Sequence, residues 1–317
     1  MPGQQQSPAP DFNQLVISEF RANGGTVGGM FEGSPLILIT TEGRHSHRPR
    51  TNPVTYLRDG SRCLIFGSNL GRPAHPGWYH NLLASPQVTM EIGTGDGHVQ
   101  ALSARAAVLN GAERDRLYQR QSAISPAFRG YQEKTARTIP VVALYPLDLS
   151  QDSERSQLIG EQLIAHHNSL RARLSRVRAQ ITAVLADGPG NGGAELPVPD
   201  LAAQLRQHCL LYCYGLELHH IREDGTFSAF EQQYPHLIPV ISRLRSEHRT
   251  MARALASLET LLTATTPADT GEILTALEDA ITGLEEHFAY EEEHLIAALP
   301  AEPEAARTSS CPAAGTA

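Results

Sequence analysis

Apolar positions change period once along this chain, near residue 150. Before that point they fall in short runs: PLILITT, NPVTYL, RCLIFGS, QVTMEI, VQALSARAAVL and IPVVALYP. Each run is apolar or alternating and is bounded by Gly, Pro or Asp-Gly, which predicts strands. Arg58-Asp59-Gly60-Ser61 predicts a hairpin between two of them. Helices are predicted near 76–85, 111–122 and 126–134. DFNQLVISEFRANGG predicts another ahead of the first strand, with Asp11 as N-cap and Gly24 as its stop. Many strands and few helices predict a small antiparallel barrel.

After the polar stretch LDLSQDSERS the apolar residues recur in steps of three and four. Four long helices are predicted, near 155–186, 200–231, 236–264 and 270–298, with DGPGNGGAELPVP and TTPADT as connections. Such a set predicts an up-down four-helix bundle. The expected fold class is therefore α+β in two domains. A barrel covers 12–148, a linker 149–154 and a bundle 155–299, and the polar ends 1–11 and 300–317 are expected to be disordered.

Histidines stand inside the bundle's apolar stripes. The third helix reads Ile241, Leu244, His248, Met251, Leu255, Leu258, Leu262, and the fourth Leu277, Ile281, Leu284, His287, Glu291, Leu295. The first reads Leu163, His167, Leu170, Leu174, Val177, Ile181, and the second Leu201, Leu205, His208, Tyr212, Gly215, His219, Glu223, Phe227. Residues four apart share a helix face, so His219 with Glu223 and His287 with Glu291 aim an imidazole and a carboxylate at a common point. Alone, each His would read as a hydrogen-bonded core residue. Burying all of them beside two carboxylates is costly unless a cation joins them. Mixed His and carboxylate ligands suit iron. His167, His219, Glu223, His248, His287 and Glu291 are the expected ligands, enough for two irons with positions left open. His166, His220, Asp224 and Glu292 stand one residue from these, as supports or register alternatives, and His236 and His294 read as surface residues. His208 is a weaker candidate on the same face.

Charge sharpens the division. The net charge of −8 splits into 14 Arg plus Lys against 11 Asp plus Glu over residues 1–150, and 12 against 23 over the rest. That acidic balance argues against a nucleic-acid partner. Cys63, Cys209, Cys213 and Cys311 match no zinc ribbon or secreted disulfide framework. Cys209 and Cys213 share a helix face and read as reduced thiols in a core. No apolar run is long enough to span a membrane, and MPGQQQSPAPDF is unlike a signal peptide, so a cytoplasmic protein is expected.

In the first domain, Arg44, Arg48 and Arg50 share one turn-rich segment, and Ser68 to Gly71 form a loop able to turn backbone N–H groups to an anion. A helix follows from about Pro76. This cationic, glycine-containing rim suits a phosphate-bearing cofactor, whereas the plainer reading is a solvated basic loop.

HHNSLR, HHIRED, SEH and HFAYEEEHL resemble the hemerythrin-like, HHE-type cation-binding domain over about 155–299. The resemblance implies a non-haem di-iron centre on the six ligands named above. Oxygen-carrying members place a second His four residues along the third helix, where this chain has Ala252. That departure turns the expectation from oxygen carriage toward O2, NO or redox sensing, peroxide or NO chemistry, or iron handling.

EFRANGGTVGG, PLILITTEGR, RPRTNPVTYLRDG, HPGWYHNLLASPQVTMEIG, ERDRLY and GYQEKTARTIPVVALYP resemble the deazaflavin-dependent nitroreductase family over nearly all of 12–147. This implies a split β-barrel, like the FMN-binding barrels, that takes the reduced deazaflavin coenzyme F-420 and passes hydride to nitro compounds or quinones. FMN is the alternative cofactor. On the family pattern Arg44, His45, Arg50, Asn52 and Pro53 would hold the cofactor, Ser68, Asn69, Leu70 and Gly71 would line it, and Trp78 and Tyr79 would support the pocket. Ser68 and Tyr131 would serve catalysis. The usual Gly-Arg-Lys-Ser/Thr-Gly reads Gly43-Arg44-His45-Ser46-His47 here, a common Lys is Asn69, and a frequent Tyr is Phe128.

The expectation is a redox protein in which the reductase and the iron domain are coupled, with a small-molecule quinone or nitro acceptor, O2 or NO as further ligands at the iron, and a homodimer left open. The rival from another class is a sensor or iron-binding protein whose barrel is a non-catalytic cofactor module.

Overall fold

The structure is a computed structural model that describes residues 12–149, 153–186, 198–263 and 270–299. Expectations for the two ends, the Asp11 cap, the connections 187–197 and 264–269, Cys311 and the side chains of His208 and Cys209 lie outside the described residues. The chain divides into two compact units, Met1–Leu147 with Leu218–Ser228, and Asp148–Glu217 with Ala229–Ala317.

In the first unit, helix α1 (Phe12–Ala22) precedes strands β1 (Leu36–Glu42), β2 (Pro49–Asp59) and β3 (Arg62–Phe66). Helix α2 (Gly77–Ala84), β4 (Gln87–Gly93), β5 (Val99–Leu109), α3 (Gly111–Ile124), α4 (Pro126–Glu133) and β6 (Val141–Pro146) follow. Among the described residues the strands close one antiparallel barrel in the order β1-β2-β3-β6-β5-β4. Asp59 pairs with Arg62 across the predicted hairpin. β2 starts three residues before the predicted NPVTYL, because Pro49, Arg50 and Thr51 pair with Glu42, Thr41 and Thr40 of β1.

Both faces of β1 are covered. Ile37 and Ile39 face the barrel core with Cys63, Ile65, Met90 and Val142, while Leu36 and Leu38 pack under α1 against Val16, Ile17 and Phe20. This is why PLILITT is a continuous apolar run instead of an alternating one. On β3, Leu64 and Phe66 lie on the other side, beneath α3 and α4 with Leu117, Tyr118 and Phe128.

The helical region comprises α5 (Ser153–Ala186), α6 (Val198–Gln233), α7 (Ile238–Thr263) and α8 (Thr270–His294). α6 is one continuous helix whose turns Leu218–Ser228 group with the first unit and whose remainder groups with the second. Leu170, Leu174, Cys213, Leu216, Met251, Leu255, Leu258, Leu277, Leu284 and Phe288 form the core of the second unit. Every residue of the predicted α7 stripe from Ile241 to Leu258 is buried. No helix among the described residues is long and apolar enough to cross a membrane.

Candidate functional site

Two loops frame the barrel rim. The first joins β1 to β2. It closes on itself through Gly43 N–H to Arg48 O at 2.9 Å and His47 N–H to Gly43 O at 2.7 Å. His47 stands at φ 54°, a left-handed conformation that favours glycine and is strained for other residues. Its Nδ1 lies 2.8 Å from Glu42 Oε1, which offsets part of that strain. The buried Asn81 of α2 fixes the loop from below: its Oδ1 accepts from Arg44 N–H at 3.1 Å and its Nδ2 donates to Thr41 Oγ1 at 3.0 Å. The Arg44 backbone is thereby held while its side chain, with His45 and Arg50, stays exposed. Asn52 and Pro53 follow on β2, half-buried opposite Ile39 and Leu38.

The second loop follows β3. Asn69 and Leu70 also take left-handed angles, φ 47° and 56°, and Gly71 sits at φ 81°. A Cβ on Gly71 would lie 2.9 Å from Tyr131 O and 2.9 Å from Lys134 Cβ, so this loop passes α4 at backbone contact. Arg137 staples the loop: it donates to Ser68 O at 2.7 Å and Arg72 O at 2.9 Å, and its Nη1 lies 3.0 Å from His75 Nδ1. Burial, then the nearby Arg137 and His80, pushes the His75 imidazole below its ordinary pKa, so its neutral form can accept from Arg137. Burial likewise lowers the Arg137 guanidinium.

α2 runs between the two loops. Trp78 is buried in the barrel core with Tyr79 packed beside it, and the His75 and Tyr79 rings are 4.9 Å apart. Tyr131 packs on Phe128 at 5.4 Å. The fold thus gathers Ser68 to Gly71 with Tyr131, and Arg44 with the far end of α2.

In the helical region His167, His219, His220, Glu223, His248, His287 and Glu291 are all buried. His167 Nε2 lies 3.3 Å from Glu291 Oε2, His287 Nε2 is 3.8 Å from the same oxygen, and His248 Nε2 is 3.2 Å from His287 Nε2. His219 Nε2 is 2.9 Å from Glu223 Oε1 on α6. The first of these sets, with His167, His248, His287 and Glu291, lies wholly in the second unit, and His219, His220 and Glu223 stand together on the Leu218–Ser228 turns of α6.

The sequence places His220 beside the ligands, and the structure buries it on α6 next to His219, their ring centroids 5.4 Å apart. Consecutive helix positions are 100° apart, so a broad stripe accepts both His219 and His220. His166, His236 and His294 are exposed. Outside the ring nitrogens that face inward, His167 Nδ1 is 2.9 Å from Glu292 and His287 Nδ1 is 2.9 Å from Glu247. Burial alone would raise both Glu pKa values, but hydrogen bonds from His287 and Arg243, and from Arg171 and His167, hold Glu247 and Glu292 below the usual carboxylate range.

Residues 14–146 match the family model of the F420H2-dependent quinone reductases. F420H2-dependent quinone reductases of two Mycobacterium tuberculosis strains are each 36% identical to this chain over 127 residues, 39% of this chain and 83% of their own length. The chain belongs to that family. A solved structure described as an F420-H2 dependent reductase is 32% identical, covering 35% of this chain and 93% of that one, with a TM-score of 0.31. Residues 158–299 match the hemerythrin HHE cation binding domain. The chain therefore carries a hemerythrin domain after its barrel.

The residues fit both implied groups. Side-chain cations and a loop turned by left-handed residues suit an anionic coenzyme, and Gly71 leaves the loop no room for a Cβ. The buried His167, His248, His287 and Glu291 of the second unit, with donor atoms 3.2 to 3.8 Å apart, suit a transition-metal ion, and the buried His219, His220 and Glu223 of α6 offer the same donor types. Sequence reasoning missed Asn81, His75 and Arg137. Asn81 gave a faint signal, as a polar residue between the apolar Trp78 and Leu82 of a short helix.

Proposed function

We propose that this chain is an oxidoreductase that uses reduced F-420 to reduce a quinone or a nitro compound, and that its hemerythrin domain holds two iron ions. The observation that carries the reading is the pair of rim loops, one fixed by Asn81 of α2 and the other by Arg137, in a chain 36% identical to F420H2-dependent quinone reductases.

Arg44, His45 and Arg50 would take the coenzyme's anionic tail, and the N–H groups of Asn69 and Leu70 would turn to it. Asn52, Pro53, Trp78 and Tyr79 would shape the walls. Bound deazaflavin supplies the hydride. A quinone that accepts it still needs a proton to become a hydroquinone, and the Tyr131 or Ser68 hydroxyl is the group proposed to give it. FMN, with one phosphate, would use the same loops and is the alternative. In the second domain His167, His219, His220, Glu223, His248, His287 and Glu291 would hold the irons, whose chemistry is electron transfer and the binding of O2 or NO. The buried thiols of Cys63 and Cys213 are compatible with a reducing, cytoplasmic setting.

The test is oxidation of reduced F-420 by menadione with the purified full-length chain, alongside metal analysis after growth in iron-replete medium. Turnover and about two irons per chain are expected, with iron lost in His219→Ala plus His287→Ala. Absence of deazaflavin binding would sink the first half, and absence of metal from the wild type the second.

A second reading, a sensor whose barrel binds cofactor without turnover, is favoured by one observation. Phe128 is packed in an aromatic cluster with Phe66 and Tyr118, so it brings no hydroxyl where the family pattern has Tyr. Deazaflavin binding without menadione or nitroimidazole turnover would select it.

Coupling of the two domains is also proposed. Arg222, the residue before Glu223, donates to Glu42 Oε2 at 3.0 Å, and Glu42 immediately precedes the first rim loop.

A further inference from the structure

Two histidines of the helical unit are each gripped from behind by a carboxylate on a neighbouring helix. His287 of α8 meets Glu247 of α7, Nδ1 to Oε2 at 2.9 Å. His167 of α5 meets Glu292 of α8, Nδ1 to Oε1 at 2.9 Å. An ionised carboxylate only accepts, so each Nδ1 must carry the proton, and in a neutral imidazole the lone pair is then on Nε2. Those Nε2 atoms are the ones that approach Glu291 Oε2, at 3.3 Å from His167 and 3.8 Å from His287.

Each carboxylate is itself held by an arginine. Arg243 Nε donates to Glu247 Oε1 at 2.8 Å, and Arg171 Nη1 donates to Glu292 Oε1 at 2.9 Å. Each arginine in turn lies over an aromatic ring of α8, Arg243 at 3.6 Å from the Tyr290 centroid and Arg171 at 5.2 Å from that of Phe288. The same Arg–Glu–His–interior order is therefore built twice, from different helices. Repetition argues against a chance surface pair. A salt bridge that served only the helix surface would have no need to end on a buried imidazole.

We propose that Glu247 and Glu292 are positioning residues of the metal centre, fixing His287 and His167 with Nε2 inward, and that Arg243 and Arg171 fix the two carboxylates in turn. The inference rests on the metal reading above and deepens it. A carboxylate behind a ligating His sets its tautomer and ring orientation and makes it a stronger donor.

The test uses the full-length chain with Co(II) and Fe(II) as probes. Glu247→Gln, Glu292→Gln and the corresponding Ala variants are titrated in competition with a chromophoric chelator, and the Co(II) spectrum is recorded. Each Gln variant is expected to lose about 10- to 100-fold in metal affinity with an altered Co(II) spectrum, while the helicity of the metal-free chain stays at the wild-type level. Ala variants should lose at least as much. If an Ala variant fails to fold, its near-isosteric Gln counterpart decides. Arg243→Gln and Arg171→Gln should shift affinity in the same direction by less. Wild-type binding of two ions with unchanged affinity and spectrum in the Gln variants overturns the positioning role and leaves the metal reading standing. A wild type that binds neither probe overturns both.

Discussion

At the residue scale, the rim loop after β3 depends on single atoms. Arg137 supplies charged hydrogen bonds to the half-buried Ser68 O and the exposed Arg72 O, and bonds to a charged donor are worth about 1.5–3 kcal/mol at most, less where water can replace them. Arg137→Ala is expected to weaken binding of reduced F-420 by roughly tenfold or more in a fluorescence titration, with a smaller fall in Tm. His75 adds a pH dependence. Its folded pKa lies below the ordinary value, so the folded loop disfavours the protonated ring. The stability it contributes is fully present above the unfolded His pKa, about 6.5, and is lost as pH falls through the folded value. NMR titration of His75 should give a pKa below that of an unfolded His, and a value at or above it would remove this effect. Gly71→Ala meets two obstacles, the left-handed φ of 81° and contacts of 2.9 Å to Tyr131 O and Lys134 Cβ. A cost on the order of 2 kcal/mol is expected, read as a lower Tm and weaker deazaflavin binding. A variant with wild-type values in both would mean the loop moves away from α4 without cost.

At the scale of elements, the helices were easier to read than what lies behind their ligands. Steps of three and four placed His167, His248, His287 and Glu291 on buried stripes because a helix enforces that period on whatever it buries. Strand alternation was weaker evidence: β1 is covered on both faces, so its run of apolar residues did not reveal which side chains line the barrel interior. Glu292 shows in the pattern only as a neighbour of Glu291, and Glu247 and Asn81 leave almost no trace. Each acts across to another element, and a contact between helices has no period in the sequence. His220 was blurred for a related reason, since adjacent positions on a broad stripe are separated by packing and not by spacing. Phe288 joins the two kinds of information. It is fully buried, stacks on the His167 ring at 4.0 Å and lies in the core of the second unit. Phe288→Ala is expected to cost about 3–5 kcal/mol by chemical denaturation and to broaden the His167 signal in NMR. Loss of under about 1 kcal/mol would show that the core refills the cavity.

At the scale of the whole molecule the question is whether the barrel and the hemerythrin domain act on one another. α6 is a single helix, so turns carrying His219 and Glu223 are covalently continuous with those packed in the second unit. On the same stretch, Thr89 Oγ1 of β4 donates to Ile221 O at 3.2 Å, and Arg222 donates to Glu42 at 3.0 Å. Glu42 also receives His47 from the first rim loop, and together these partners outweigh burial and hold its carboxylate below the ordinary range. A coenzyme that orders this loop and a metal that orders Glu223 would therefore each bias the same short segment. Linkage requires the effect to be mutual: if metal tightens deazaflavin binding by some factor, deazaflavin must tighten metal binding by that factor. A factor of about 5 or more is expected for a coupling of this kind. Titrating the deazaflavin with and without Co(II), and Co(II) with and without the deazaflavin, measures it from both sides. Arg222→Gln, which removes the ion pair while leaving Glu223 and the rim arginines in place, should bring both factors toward one. Equal affinities in all four wild-type titrations would mean that the two sites share a chain and nothing more. A factor that survives Arg222→Gln unchanged would place the coupling elsewhere on α6, with the backbone contact at Ile221 next to be tested.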